Sequence, residues 1–227
     1  MLSDTGYAVI PGPFDASKLE TVTSAIDKAA AAASHEEIKV GSSGSNVRID
    51  GLLAKMPALE RLFTHPPVVA AAEELIGPFR LSSFHMRTVL PGAEAQALHQ
   101  DVRPYRDGWP LLGFIFMMDV FTPENGATRF VPGSQKIETM PAEFLRAHPA
   151  QVHACGPVGS MILFNGSVWH GFGANRSAKP RRSVQGSLIP QGASSATDWE
   201  KMLPPAEWAQ ISAGAQAILR GAAASSA

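Results

Sequence analysis

Short apolar or alternating segments follow one another from Phe79 to about residue 190, and this pattern limits the folds that the chain can adopt. Turn signals separate the segments at Pro91-Gly92, Asn125-Gly126, Pro132-Gly133 and Asn165-Gly166, and within 173–180. The segments read RLSSFHMRTVL, LLGFIFMMDVF, ATRFV, GSMILFN, VWHGF and RRSVQGSLI. Many short strands joined by tight turns are typical of antiparallel barrels and two-sheet jelly rolls. The sequence therefore predicts a mostly β fold with a jelly-roll core over 79–190 and flanking helices.

The N-terminal part, residues 1–78, is predicted to be mainly helical. A short strand at 5–11 precedes Asp15, which is a suitable cap for a helix running to about residue 36. Two short helices are predicted near 55–64 and 66–76, the second opened by Pro66-Pro67. Residues 191–227 are predicted to be a C-terminal extension with a helix around 205–220. Because β barrels and sandwiches of this size rarely divide, all 227 residues are predicted to form one domain.

Three connections carry further predictions. Residues 40–46 (VGSSGSN) are interpreted as an exposed linker, with a mobile lid as the alternative. Asn125-Gly126 predicts a β-hairpin, because both residues tolerate positive φ. Residues 136–150 are predicted to add a helix.

The composition excludes several classes of function. An apolar content of 45% with 17% charged residues is that of an ordinary globular protein. A net charge of −1 and the absence of a dense basic run argue against nucleic-acid and membrane-surface partners. No secretory signal or membrane-length apolar run is visible. Cys155 is the only cysteine, so no internal disulfide can form. The sequence therefore predicts a soluble, cytoplasmic protein, and it contains no feature that specifies an oligomeric state.

The tripeptide His99-Gln100-Asp101 is the first feature with chemical content. On a strand, the period of two places His99 and Asp101 on the same face. With His170 they offer two imidazoles and one carboxylate, which hold Fe(II) on one side and leave adjacent positions for a keto acid and dioxygen. Arg181, eleven positions after His170, offers a planar guanidinium for the distal carboxylate of 2-oxoglutarate.

The text around these residues makes the pattern more specific than the tripeptide alone. It reads QALHQD, then ENGATRFVPGSQK, then LFNGSVWHGFGANRSAKPRR. This resembles the phytanoyl-CoA dioxygenase family of iron- and 2-oxoglutarate-dependent oxygenases, in which an HxD motif, an NG turn, a PGS segment, an HG pair and an arginine follow in this order. The resemblance is close over about 80–190 and implies a double-stranded β-helix, or cupin-like, core.

Carried over by position, the resemblance implies that His99, Asp101 and His170 bind Fe(II) and that Arg181 binds 2-oxoglutarate. Arg182 is the rival for that role, but on a strand it points to the opposite face. Related halogenases replace the carboxylate at position 101 with a small residue, so Asp101 favours hydroxylation over halogenation.

The chain departs from the family pattern at two positions around the pocket. Phe172 stands where several relatives carry a serine that touches the co-substrate, and GFIFMMDV lacks a tryptophan found in many relatives. The pocket wall is therefore predicted to be more apolar than usual.

Substrate contacts are predicted on the loop after the HxD motif. Arg103, Tyr105 and Arg106 lie there and would suit an acidic or phosphate-bearing substrate; solvated loop residues are the equal alternative. Trp169 is a further candidate, although packing suits it better. Arg87 and Thr128 would line the pocket if their strands face inward. Packing or surface roles are predicted for the remaining histidines, namely His35, His65, His85, His148 and His153.

Three functions compete on these residues. The leading hypothesis is an oxygenase that couples decarboxylation of 2-oxoglutarate to oxidation of a small organic substrate by dioxygen. The second is a His2Asp zinc-dependent hydrolase, in which Arg181 would have no evident role. The third is a non-catalytic jelly-roll binding module, in which the ordered residues would be incidental.

Overall fold

The strands belong to two antiparallel sheets. The computed structural model describes residues 2–41, 43–104 and 109–221. Its strands are β1 (Tyr7–Pro11), β2 (Ile38–Val40), β3 (Asn46–Ile49), β4 (Phe79–Val89), β5 (Leu112–Met117), β6 (Thr128–Phe130), β7 (Val152–His153), β8 (Ser160–Asn165), β9 (His170–Phe172) and β10 (Arg181–Pro190). The larger sheet has the order β1-β8-β5-β10-β4-β3-β2, and the smaller has the order β7-β6-β9. The prediction of a mostly β, jelly-roll fold is confirmed.

The two faces of the larger sheet have different partners because side chains alternate along each strand. Phe84 and Val184 point to one face and belong to the main apolar core, which the helices complete. Ile115 and Ile162 point to the other face and share a second apolar cluster with Phe130 of the smaller sheet. The space between the two sheets is therefore closed by apolar side chains at one end, and the polar residues of β4 and β10 face it at the other.

The helices are shorter than the sequence predicts. They are α1 (Leu2–Thr5), α2 (Leu19–Ala31), α3 (Leu52–Lys55), α4 (Pro66–Leu75), α5 (Trp199–Met202), α6 (Pro205–Trp208) and α7 (Ala213–Arg220), with 3-10 turns at Ala16–Lys18, Pro57–Leu62, Ser134–Lys136 and Ala142–Phe144. The helix predicted to reach residue 36 ends at Ala31, and beyond it the Ser34 amide donates to the Glu37 side chain at 2.6 Å. The prediction of a helix over 136–150 is wrong, since the segment forms only the short 3-10 turn at Ala142–Phe144. The helix predicted over 205–220 is two helices, divided where Ser212 caps α7.

The N-terminal third also contributes three strands to the larger sheet. β1 pairs with β8, and β2 and β3 extend the opposite edge beyond β4. The segment 40–46 therefore connects β2 to β3, with the Gly41 amide donating to the Asn46 carbonyl at 2.9 Å. Among the described helices, none has the length and apolar character needed to cross a membrane.

The turn at Asn125-Gly126 is not the predicted hairpin. Only Gly126 has a positive φ, +84°. The Asn125 side chain accepts from the Thr122 amide at 2.9 Å and donates to the Val120 carbonyl at 2.7 Å. β5 and β6 on either side belong to different sheets. The hydrogen bonds of the Asn125 side chain therefore stabilise a turn through which the chain passes from the larger sheet to the smaller one.

Glycines let two aromatic rings lie across neighbouring strands of the larger sheet. A Cβ added to Gly113 would lie 2.2 Å from the ring of Phe164, its partner on β8. A Cβ on Gly186 would lie 2.3 Å from the ring of Phe114 on β5. The ring of Phe164 also packs on His170, with ring centroids 4.8 Å apart, so this packing supports the candidate metal centre.

Candidate metal centre

His99, Asp101 and His170 come together between the two sheets. Their ligand atoms all lie within 4.8 Å of one another. The Nε2 atoms of His99 and His170 each lie 3.7 Å from an oxygen of Asp101. Two imidazoles and one carboxylate on one side of a point are the donor set of a mononuclear site with open positions. The three residues therefore fit a single divalent ion.

Backbone carbonyls orient both imidazoles for this role. Nδ1 of His99 lies 3.1 Å from the Ala97 carbonyl, and Nδ1 of His170 lies 2.9 Å from the Val168 carbonyl. A carbonyl oxygen only accepts, so each Nδ1 carries the proton and each Nε2 presents its lone pair. Burial is the main cause that lowers the pKa of His170, which also favours the neutral, ligating form.

The local structure that places the HxD tripeptide differs from the prediction. His99 forms an isolated bridge with His170, with two backbone bonds of 2.9 Å, and the segment is not a regular strand. Asp101 lies in a bend, and its backbone amide donates to the Gly166 carbonyl at 2.8 Å. Gly171 permits the close approach, because a Cβ there would lie 3.1 Å from the Ala97 carbonyl oxygen. Pairing with β9, instead of strand alternation, brings the two side chains to one point.

A cavity of about 220 Å³ opens from the three residues along the inner face of the larger sheet. Arg87 and Thr128 line the cavity, so the side chains of both residues point inward from their strands. Phe172 contributes an apolar wall. The other polar side chains of the lining are Arg48, Ser83, His85, Gln96, Arg181, Gln185 and Ser187. The sequence did not single out Arg48 or Gln96, whose places depend on the β3 edge and on the irregular segment before His99.

Arg181 is the most unusual charge in this cavity. It is fully buried, and its Nε and Nη2 atoms have no hydrogen-bond partner within 2–41, 43–104 and 109–221. Its Nη1 atom lies 3.4 Å from the Ser183 hydroxyl, and the guanidinium carbon lies 4.3 Å from the centre of the Phe121 ring. Burial, followed by repulsion from Arg87, lowers the pKa of Arg181 to about 9. A buried cation without a carboxylate is costly, and an anionic ligand would remove that cost.

Arg182 has the opposite environment. Its side chain forms ion pairs with Asp27 and Asp119, and its backbone amide donates to Asp119 at 2.7 Å. Hydrogen bonding to Asp119 is the first cause that raises the pKa of Arg182 above its ordinary value. The charge of Arg182 is thus neutralised on the face away from the cavity, and Arg181 is the arginine that faces the metal centre.

The predicted substrate contacts have different outcomes. Arg103 is exposed and Trp169 is buried, and both line a second cavity of about 380 Å³ that also reaches His99. The indole of Trp169 packs against Leu98 and Val131, while its Nε1 has no partner. Tyr105 and Arg106 lie outside the described residues.

The fold and the site together define a jelly-roll protein in which two histidines and one carboxylate, grouped so that they could hold a metal ion, lie beside a buried arginine. The phytanoyl-CoA dioxygenase (PhyH) family model matches residues 2–183, and the chain belongs to that family. A dioxygenase of Aspergillus terreus, trt7, is 37% identical over 146 residues, which are 57% of this chain and 49% of the relative. The chain spans about half the length of the relatives it matches in this way.

Solved structures share the architecture. HygX of Streptomyces hygroscopicus, determined with nickel, 2-oxoglutarate and hygromycin B bound, has a TM-score of 0.70 at 18% identity and 86% coverage of both chains. The epimerase SnoN, in complex with Fe3+, alpha-ketoglutarate and nogalamycin RO, has a TM-score of 0.69 at 23% identity, covering 86% of this chain and 83% of its own. At these identities the likeness establishes the fold.

Proposed function

We propose that this protein is a non-haem iron oxygenase that couples oxidative decarboxylation of 2-oxoglutarate to oxidation of a C–H bond in a small organic substrate. The observation that carries the proposal is Arg181, a fully buried guanidinium with no carboxylate partner among the described residues, in the same cavity as the metal centre. A zinc hydrolase or a binding module would give this buried charge no role. Family membership supports the same conclusion.

In this proposal His99, Asp101 and His170 hold Fe(II), and the two carbonyl-bonded Nδ1 atoms keep the imidazoles in the ligating tautomer. Bound Fe(II) supplies the redox chemistry with dioxygen that converts 2-oxoglutarate to succinate and CO2 and oxidises the substrate. Arg181 binds the distal carboxylate of 2-oxoglutarate, where a desolvated guanidinium makes strong, paired hydrogen bonds.

The remaining lining residues position the co-substrate and exclude water. Phe172 removes the hydroxyl that several relatives place near the co-substrate, and Thr128, its cross-strand partner on β6, supplies one in the same cavity. Phe164 and Phe172 cover the metal centre with apolar surface, which strengthens the electrostatic contacts inside. Hydroxylation is the outcome that Asp101 favours.

Substrate is proposed to approach from the second cavity, because that cavity reaches His99 from outside and holds Arg103 and Trp169. Tyr105 and Arg106 remain predicted contacts on the same loop. A cytoplasmic location also remains a prediction, which rests on the lone Cys155 and on a reducing compartment that keeps iron ferrous.

Anaerobic addition of Fe(II) and 2-oxoglutarate tests the proposal. The wild type is expected to develop the visible charge-transfer band of a metal-bound keto acid, and Asp101→Ala is expected to lose it. Arg181→Met should need far more 2-oxoglutarate to form the band, and Arg182→Met is the matched control. A wild type that forms no band would refute the proposal, and metal-dependent ester hydrolysis by the Zn(II) form would favour the hydrolase.

A further inference from the structure

His85 lines the cavity, and no structural role accounts for its ring nitrogens. It lies in the middle of β4 and is 7% exposed, and neither of its ring nitrogens meets hydrogen-bond geometry with any residue that the structure describes. The packing role predicted for it accounts for the burial of its ring, but not for two nitrogen atoms without partners. Buried polar groups in folded proteins are nearly always bonded to protein or to a ligand or water. The imidazole therefore presents unused hydrogen-bonding groups in the cavity.

The polar neighbours of His85 bond chiefly to one another, and a hydrogen bond from Gln185 is only the last of the causes that act on the pKa of His85. Gln185, directly across on β10, donates to Ser183 at 3.1 Å and accepts from Arg87 at 3.2 Å. Two register positions further, on the same face of the sheet, the hydroxyls of Ser83 and Ser187 lie 2.7 Å apart. The two hydroxyls share one hydrogen bond, so the pair retains a donor for another molecule. His85 and this serine pair form one patch of neutral hydrogen-bonding groups.

This patch lies beside the proposed co-substrate site. Arg181 pairs with Val89 at one end of β4, and His85 is four residues further along the strand. The guanidinium of Arg181 reaches along β10 to the Ser183 hydroxyl, which is level with Arg87, so roughly 7 Å of strand separates it from the level of His85. A 2-oxoglutarate that spans the metal centre and Arg181 has both carboxylates engaged there, so the oxygen bound at His85 is assigned to a second molecule.

The imidazole is neutral in this position. Burial, followed by repulsion from Arg48 and Arg87, lowers the pKa of His85 to about 3. A neutral imidazole carries one donor and one acceptor. A hydroxyl matches both, and a carbonyl oxygen matches the donor, whereas a hydrocarbon leaves both unpaired.

We propose that His85, with the Ser83–Ser187 hydroxyl pair beside it, forms a subsite that binds a hydroxyl or carbonyl oxygen of the substrate. The inference deepens the proposed function, on which it rests, by naming the polar group that the substrate carries. Specificity in such a subsite comes from the cost of leaving buried donors unpaired when the oxygen is missing.

Three probes of similar size test the subsite: cyclohexanol, cyclohexanone and methylcyclohexane. Protein labelled with 15N-histidine reports ring hydrogen bonding by NMR without metal or 2-oxoglutarate. The two oxygenated probes are expected to shift the His85 ring signals and to bind at least about fivefold more tightly than methylcyclohexane, a modest share of the discrimination that a paired hydroxyl can give. His85→Phe should abolish this preference, and His85→Gln should restore part of it.

The same substitution at a histidine outside the cavity, His153→Phe, is the matched control and should keep the wild-type preference. His85→Phe is expected to melt at or above the wild-type temperature, because the imidazole gives up at most a weak contact with Gln185. Equal binding of all three probes, no shift at about 10 mM of either oxygenated probe (ten times a millimolar Kd), or a retained preference in His85→Phe would overturn the inference. A clear fall in the melting temperature would overturn it too, since the ring would then be structural.

The two proposals can fail separately. Loss of the charge-transfer band in wild-type protein that still prefers the oxygenated probes refutes the oxygenase alone. A normal band in protein without that preference refutes the subsite alone.

Discussion

Replacing the adjacent arginines one at a time should have opposite effects on stability and on 2-oxoglutarate binding. Arg181→Met removes a fully buried guanidinium that has no ion pair with any described acidic residue. Arg182→Met removes a guanidinium that forms ion pairs with Asp27 and Asp119. Methionine fills similar space with an unbranched, adaptable chain, so charge is the main difference in both variants.

The stability change follows from the two environments. A fall in the pKa of Arg181 from its ordinary value to about 9 corresponds to at most roughly 5 kcal/mol against the charged form in the ligand-free fold. Because the folded-state pKa lies below the unfolded one, this penalty is fully present below pH 9 and is relieved only as pH rises above it. Apolar replacement of buried charges commonly stabilises by about 1–4 kcal/mol, the gain expected for Arg181→Met. Arg182→Met should lose about 1–3 kcal/mol with its charged hydrogen bonds.

Binding should change in the other direction. Loss of a buried charged partner costs about 2–5 kcal/mol, so the Kd for 2-oxoglutarate should rise roughly 30-fold to 4,000-fold in Arg181→Met. Arg182→Met should change that Kd by less than about twofold, since its side chain does not line the cavity.

Urea denaturation at pH 7 without ligand measures the first effect, and anaerobic titration of the Fe(II) form with 2-oxoglutarate measures the second. A destabilised Arg181→Met with wild-type 2-oxoglutarate affinity would refute the reasoning. Weakened co-substrate binding in Arg182→Met alone would move the role to the neighbouring residue.

Three further results are expected. Asp101→Ala should weaken Fe(II) binding at least about tenfold without lowering the ligand-free melting temperature, since the carboxylate is largely solvated and a first-coordination group is lost; unchanged affinity by metal titration would exclude it as a ligand. Gly113→Ala should destabilise by about 1–3 kcal/mol, because its Cβ would meet the Phe164 ring at 2.2 Å, whereas Gly192→Ala, in open space, should be neutral or slightly stabilising in the same urea assay. The pKa of His85, lowered to about 3, lies below its value in the unfolded chain, so stability should fall as pH drops from about 6.5 toward 3. His85→Phe should reduce the slope of stability against pH by up to about 1.4 kcal/mol per pH unit. An unchanged slope would contradict a neutral, buried His85.

The strand positions were largely predictable, and the connections were not. The segments at 79–89, 160–165 and 181–190 carry apolar alternation and turn residues that identify them locally. The Asn125-Gly126 turn misled because its geometry depends on which sheet receives the chain after it. The helix expected over 136–150 does not form, because backbone carbonyls in that segment accept hydrogen bonds from distant residues: the Leu145 carbonyl from the Leu98 amide and the Arg146 carbonyl from the Arg129 side chain. Such tertiary contacts outweigh helix propensity.

The residues of the candidate metal centre could be chosen from the sequence because residue type and order limit the chemistry. The donor set of a metal site is given by two histidines and one aspartate, whatever fold brings them together. The following arginine offers a positive charge for an anionic ligand. The choice of Arg181 over Arg182 rested on its spacing from His170, and strand alternation placed the two side chains on opposite faces, which is a local property. The tertiary structure alone decided how His99 and Asp101 meet, through an isolated bridge to β9 instead of a strand. It alone left His85 without a partner and brought Arg48 into the cavity, because burial and pairing depend on segments far apart in the chain.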